Sequence, residues 1–343
     1  MEHRPLFPIS YNNKYGFINK HGDIVIKPQF DYVCEFSEGL SAVEIDRRWG
    51  FIDTTEKLII EPQYDYARIF IGGVATVRNK GKLFLINKRD IIISKTQFKK
   101  FGYGFEGMIR IETDKGWGFI DKSGKIIIKP QFEACGNFKE GLAFIITNGR
   151  YGFIDKSGNI VIEPTFEKAR FFSEGLARIK LNGKYGYINT SGELIINPKF
   201  DEGLDFYNGL AQIVIKKNVG YINKKCEIVI DPKFDFAAQF KEGLAAVKNN
   251  DKWGFIDKNG DMVIEPQFDY VGDFSEGLAS VRVAKKYGFL NKDGEIVIEP
   301  QFDSVDDFTE GIAEVWIEKD KMGYIEKTRK YIWEPQEYRT IYL

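Results

Sequence analysis

The chain has 343 residues, enough for two or three ordinary domains, and carries 49 lysines and arginines against 50 aspartates and glutamates. So even a balance excludes the broadly basic face that displaces counterions from nucleic acid, and no run of lysines or arginines marks a local basic patch. Aromatic residues make up 15% of the chain and glycines number 34, a composition of strands and turns more than of helices.

Residues 1–13 lack a continuous apolar stretch and are interrupted by Pro5 and Pro8. They read as neither a signal peptide nor a membrane anchor, and no later window is long enough to span a bilayer. Residues 1–10 are unlike the rest of the chain and are expected to act as a cap. From there a signature recurs: Tyr15-Gly16-Phe17-Ile18-Asn19, then Trp49-Gly50-Phe51-Ile52-Asp53, then Trp117-Gly118, Tyr151-Gly152, Tyr185-Gly186, Trp253-Gly254 and Tyr287-Gly288. Weaker copies stand at Leu83-Phe84, Val219-Gly220 and Met322-Gly323. The step is 34 residues, and 35 for the last. A Pro-x-Phe/Tyr comes next in register, as at Pro28-Phe30 and Pro266-Phe268, and then a Gly-Leu with a phenylalanine three residues before it, as at Phe274 and Gly277-Leu278.

Within the repeat around Trp253, residues 244–248 alternate as a strand does, and residues 253–257 form a second strand. Asp257-Lys258-Asn259-Gly260 reads as a type I turn closed by a left-handed glycine. Residues 262–264 form a third strand, ended by Pro266, which has no amide hydrogen for a ladder. The link 267–277 is expected to be irregular, pegged to the core by Phe268 and Phe274. Helical 34-residue repeats are excluded, because a proline and about three glycines fall in every copy. The third repeat departs from the pattern, with Phe84 for glycine, Thr96 for proline and Gly104 for phenylalanine.

The motif Trp/Tyr-Gly-Phe-Ile-Asp, turn, Ile-x-Ile-x-Pro-x-Phe and Phe-x-Glu-Gly-Leu-Ala resembles that of the bacterial WG-repeat family, over about residues 11–335. The resemblance implies a repeat scaffold and no activity that can be carried onto a residue. The expected architecture is all-β: an open superhelical, solenoid-like array of ten three-stranded antiparallel repeats, with a β-propeller as the alternative. Residues 11–320 hold nine repeats, and residues 321–343 a divergent capping repeat.

The histidines are His3 and His21, and no serine or cysteine has an evident histidine partner. Cys34, Cys135 and Cys226 are odd in number, far apart and without a CxxC pair, so they read as small packed side chains in a reducing cytoplasm. Acids recur in register at Asp31, Asp65, Glu133, Glu167, Asp201, Asp235, Asp269 and Asp303, whereas a catalytic pair must be differentiated. No calcium loop, metal site, phosphate loop or cofactor is expected. The Trp-Gly pair is expected to build an aromatic column in which each ring packs on the next repeat's glycine.

Binding determinants belong where the repeats differ. The position after the recurring acid varies most, and carries Tyr32, Tyr66, Phe236 and Tyr270 next to Asp31, Asp65, Asp235 and Asp269. These eight residues form two candidate aromatic and acidic patches, separated by Lys100, Ala134, Lys168 and Glu202. The expectation is a non-enzymatic scaffold for a protein or peptide. A polysaccharide- or cell-wall-binding module is the alternative, and a hydrolase the third reading; neither nucleic-acid binding nor membrane insertion is expected.

Overall fold

The computed structural model describes residues 5–93, 98–318 and 320–338, so Thr96 and His3 lie outside the described residues. The described residues form strands and turns and no helix. Their strands make ten antiparallel sheets, eight of four strands and two of three, each running in chain order.

The eighth sheet shows how the repeat sequence makes one of them. Its strands are Phe236–Ala237, Ala245–Asn249, Lys252–Ile256 and Met262–Phe268. Two expectations are corrected here. Pro266 does not end its strand, which runs on to Phe268. The register passes from Phe255 opposite Ile264 to Trp253 opposite Phe268, which leaves a bulge across from Gly254. Proline fits a bulge because no ladder bond is asked of it there. The link 267–277 is not irregular either, since Tyr270–Ser275 is the first strand of the ninth sheet. Phe268 and Phe274 are buried in the core, as expected of pegs.

The signature glycine answers to that bulge. A Cβ on Gly254 would lie 2.3 Å from the Ile264 carbonyl oxygen and 2.7 Å from Pro266 N; on Gly118 it would lie 2.5 Å from Ile128 O and 2.6 Å from Pro130 N. The glycine therefore admits the backbone of its own sheet's last strand, not a ring of the next repeat. Between neighbouring repeats the phenylalanine after that glycine meets the phenylalanine before the next Gly-Leu: Phe255 meets Phe274 at 4.7 Å, Phe153 meets Phe172 at 4.9 Å, and Phe289 meets Phe308 at 4.7 Å. In the third sheet, where Phe84 replaces the glycine, three strands are described, and Ile86 and Ile92 form an isolated bridge in place of a fourth.

The remaining motif residues are local fasteners. The Asp257 carboxylate accepts the Asn259 and Asp261 amides at 2.9 and 3.0 Å, and Gly260 closes the turn at φ +88°, as the Asp-x-x-Gly pattern predicts. The glutamate of Glu-Gly-Leu staples one sheet to the next. Glu242 accepts the Gly277 amide at 3.0 Å and pairs with Lys292 at 3.1 Å. Glu174 does the same with Gly209 and Lys224, and Glu276 with Gly311 and Lys327.

The chain divides into two compact units, residues 1–30, 212–223 and 227–343 in one, and residues 31–211 and 224–226 in the other. In the second, the faces of neighbouring sheets share one core, where Phe153, Ile162 and Phe166 meet Ala169, Phe172 and Ile179. The first unit uses the same packing, with Phe255, Ile264 and Phe268 against Val271, Phe274 and Val281.

The first unit also overturns the open array. Ile9 and Ile18 of the first sheet (Phe7–Tyr11, Lys14–Ile18, Ile24–Phe30) share a core with Ile312, Met322 and Tyr324 of the tenth (Ser304–Val305, Ile312–Ile317, Lys321–Glu326, Tyr331–Glu337). The Tyr324 hydroxyl donates to Pro8 O at 3.0 Å, and the Tyr15 and Tyr338 rings meet at 5.1 Å. First and last sheets of an open solenoid cannot touch. The protein is a ten-bladed β-propeller, the alternative architecture. The physical reason is the two-residue first strand of most sheets, such as Phe236–Ala237. A four-stranded blade then fits into 34 residues, while two residues carry no periodicity to reveal the strand.

Candidate functional site

The recurring acids are fasteners of hairpin tips. Asp31 accepts the Asp46 amide at 2.8 Å, Asp235 that of Asn250 at 2.9 Å, and Asp269 that of Ala284 at 3.1 Å, each at a tip residue with positive φ. Asp65 pairs with Arg48, and Asp269 also with Lys252 at 2.8 Å. The Lys252 hydrogen bond holds the Asp269 carboxyl below its ordinary range. These four acids are thus committed to holding the frame, and Asp269 ties the eighth sheet to the ninth.

The candidate aromatics divide. Tyr32 is only 8% exposed and packs edge-on against Trp49 at 5.8 Å, with Tyr66 on the far side of Trp49 at 6.3 Å. Arg68 and Arg78 lie against Tyr66. Tyr32 is therefore part of the packing rather than an exposed anchor. Phe236 and Tyr270 are 49% and 39% exposed. The structure joins them into a staircase of rings: Phe236 to Trp253 at 5.3 Å, Trp253 to Tyr270 at 5.9 Å, Tyr270 to Tyr287 at 6.1 Å. Trp253 and Tyr287 are the signature aromatics, read from sequence as core, and here they are half-buried.

Beside this staircase lies a cleft of about 530 Å³ within the first compact unit. The four rings share its lining with Ser280, Asp273, Asp306 and Asp307; no lining residue is basic, and Arg282 lies over the Tyr270 and Tyr287 rings at 5.8 Å. Asp273 and Asp307 occupy the same place in successive repeats, three residues after Tyr270 and Ser304. Burial raises both carboxyls above the ordinary aspartate range; the charges of Asp273 and Asp306 raise Asp307 further, and Lys241 acts against both shifts. Gly272 keeps the floor open, since a Cβ there would lie 2.3 Å from Ser280 Oγ and 3.6 Å from Asp307 Oδ1. Sequence reasoning searched one variable position per repeat. It missed Asp273 and Asp307, which stand at a second; the corresponding residues in other repeats are Glu35, Ile69, Tyr103, Asn137, Phe171, Asp205 and Gln239.

Burial pushes the Cys34 and Cys135 thiols up to about 12, so both stay protonated. Among the described residues, no three His, Cys, Asp or Glu side chains are grouped as a metal site requires. Among the described residues, no helix is long and apolar enough to cross a membrane.

Fold and cleft together define a repeat β-propeller with a non-repeated, acid-lined aromatic depression on a periodic frame. Its family is shown by sequence. The model of the WG containing repeat matches residues 15–48, 49–82, 117–151, 151–185, 185–218, 220–253, 253–287 and 287–315, and the chain belongs to that family. No curated protein matches the chain. Among solved structures, it is similar to the crystal structure of "the eukaryotic initiation factor" at 12% identity, covering 89% of this chain and 97% of that one with a TM-score of 0.55. BamB from Moraxella catarrhalis matches at 10% identity over 84% and 96% of the two chains, with a TM-score of 0.42. The computationally designed Ika8 protein matches at 8% identity over 96% and 99%, with a TM-score of 0.41. At these identities the first likeness concerns the fold alone.

Proposed function

We propose that this protein is a non-enzymatic scaffold whose first compact unit captures a protein or peptide through a basic side chain. The observation that carries this is the cleft in which four rings stand beside Asp273, Asp306 and Asp307 with no basic lining residue. A lysine or arginine head over an aromatic face is attracted by the ring quadrupole, and more strongly once desolvated. Carboxylates already raised by burial gain when a cation arrives, because the charged form then recovers the solvation it lost. The partner-reading acids are thus Asp273, Asp306 and Asp307, while Asp235 and Asp269 hold the frame.

The test is affinity capture from native lysate, with bound proteins identified by mass spectrometry. Replacing Phe236 and Tyr270 together by alanine should weaken capture of the partner by about 2 kcal/mol or more, as loss of hot-spot residues does. Asp273→Asn with Asp307→Asn should do likewise and flatten the salt dependence. Unchanged capture by both variants would move the binding face elsewhere. One observation favours a second reading, a polysaccharide ligand: rings beside hydroxyl and carboxylate groups, here Trp253, Tyr270, Ser280 and Asp273, also suit a sugar face. Retention on a glycan array that the aromatic double variant abolishes, with no protein captured, would select it.

A further inference from the structure

The sixth sheet, Lys168–Ser173, Leu176–Leu181, Lys184–Asn189 and Leu194–Phe200, places like charges opposite one another. Lys168 pairs directly with Lys180 in the antiparallel register. The register then shifts between Ala169 and Phe172, which sets Arg170 in the bulge across from Arg178. Like charges directly opposite destabilise a sheet. The corresponding hairpins elsewhere avoid it: Tyr32 faces Glu44, Phe236 faces Lys248, Tyr270 faces Arg282, and Lys100 faces Glu112 with an ion pair at 3.2 Å.

Three of these cations, Lys168, Arg170 and Arg178, line a depression of about 250 Å³ together with the Phe144, Tyr151 and Tyr185 rings. No acid lines it. Lys180 lies over the Tyr185 ring at 5.3 Å and Arg178 at 5.5 Å, so one lining ring holds both heads. Asp205 opposes them, with its Oδ1 3.7 Å from Arg178 Nε. Neither atom makes a hydrogen bond, although both are buried. Arg178 donates through Nη1 to the Gly203 carbonyl, which fixes the guanidinium in place. The result is a depression lined by three cations and walled by three rings, with Lys180 behind Tyr185 as a fourth charge, held at a cost to the sheet.

We propose that this depression is a binding site for the oxyanion of a small aryl phosphate or sulfate ester. Arginine forks and lysine points are the side chains that match such an oxyanion, and the flanking rings supply an apolar wall for a planar group attached to it. The site lies wholly in the second compact unit and is independent of the acidic cleft.

Isothermal titration of the full chain with phenyl phosphate, phenyl sulfate and inorganic phosphate tests it. The expected result is saturable binding of both aryl esters, at least several-fold tighter than inorganic phosphate. The double variant Lys168→Gln, Lys180→Gln should weaken it tenfold or more. Its melting temperature should equal or exceed that of the wild type, since the repulsion is gone, so lost binding cannot be ascribed to unfolding. Lys258→Gln, in an exposed turn of the eighth sheet, should bind as the wild type does. Absence of saturable binding, an unchanged affinity in the double variant, or a thermal shift reproduced by sodium chloride at matched ionic strength would each overturn the assignment. Equal affinity for phenyl phosphate and inorganic phosphate would overturn the role of the rings.

Discussion

Gly254→Ala isolates the contact that ties the Trp-Gly signature to the proline 12 residues later. An alanine Cβ would stand 2.3 Å from the Ile264 carbonyl oxygen, 2.7 Å from Pro266 N and 2.8 Å from the Glu265 carbonyl carbon. All three are backbone atoms, so no side chain can swing away. Restoring ordinary contact moves the last strand outward by about 1 Å against a normal strand spacing of about 4.8 Å, enough to spoil the ladder bonds on either side of the bulge. Two such bonds at about 1 kcal/mol each, added to overpacking of about 1 kcal/mol or more, give a loss of about 2–4 kcal/mol. Urea unfolding followed by tryptophan fluorescence reads this as a lower midpoint at unchanged slope. The control is Gly243→Ala, where φ is +92° but a Cβ meets nothing within 4 Å. Its loss should be about 1–2 kcal/mol, from backbone conformation alone. A Gly254→Ala midpoint equal to that of the wild type would refute the bulge argument.

The acids and the closure contact give three further tests. Asp307 has a raised pKa in the folded state, so its contribution to stability is present when it is protonated and lost as pH rises through the raised value. Asp307→Asn should therefore raise the melting temperature at neutral pH while weakening capture of a basic partner, and wild-type capture should fade as pH drops through that same raised value; a destabilised Asp307→Asn would contradict this. Glu242 is lowered instead: burial acts upward, but the Lys292 and Gly277 hydrogen bonds outweigh it. Its staple is thus present above the unfolded value of about 4.3 and is lost as pH falls through the lower folded one. The pair is largely exposed, so Glu242→Gln should cost about 0.5–1 kcal/mol at neutral pH, with the difference vanishing in acid unfolding scans. Closure is tested by a double-mutant cycle of Ile9→Ala with Tyr324→Phe, which should show a coupling of about 0.5 kcal/mol or more; strict additivity would mean that the ends do not meet.

The repeat, its all-β character and the turn chemistry were legible because they are local. Asp257 to Gly260 needs four adjacent residues to declare itself, and the residues that peg the core, Phe268 and Phe274, recur in register. Closure was not legible, because it depends on Ile9 meeting Tyr324 across the length of the chain, and no spacing within a repeat encodes that. The partner of the signature glycine was also hidden: a glycine says that something approaches closely, not whether it is a ring or a carbonyl oxygen.

The two clefts explain why the functional surface was half visible. In a strand, residues two apart share a face, and the antiparallel register sets them against a second such pair. Lys168, Arg170, Arg178 and Lys180 thereby form one basic group, although no two of them are adjacent in sequence. A search for charge runs cannot find it. By the same rule, Asp273 stands beside Tyr270 and Ser280 only through the bulge that shifts the register between Val271 and Phe274. Residues that recur in most repeats, such as Asp235 and Glu242, close tips and join sheets, and that work leaves them little capacity to read a ligand. Specificity falls to the positions that the frame leaves unconstrained, and these are recognisable only once the cross-strand register pairs them.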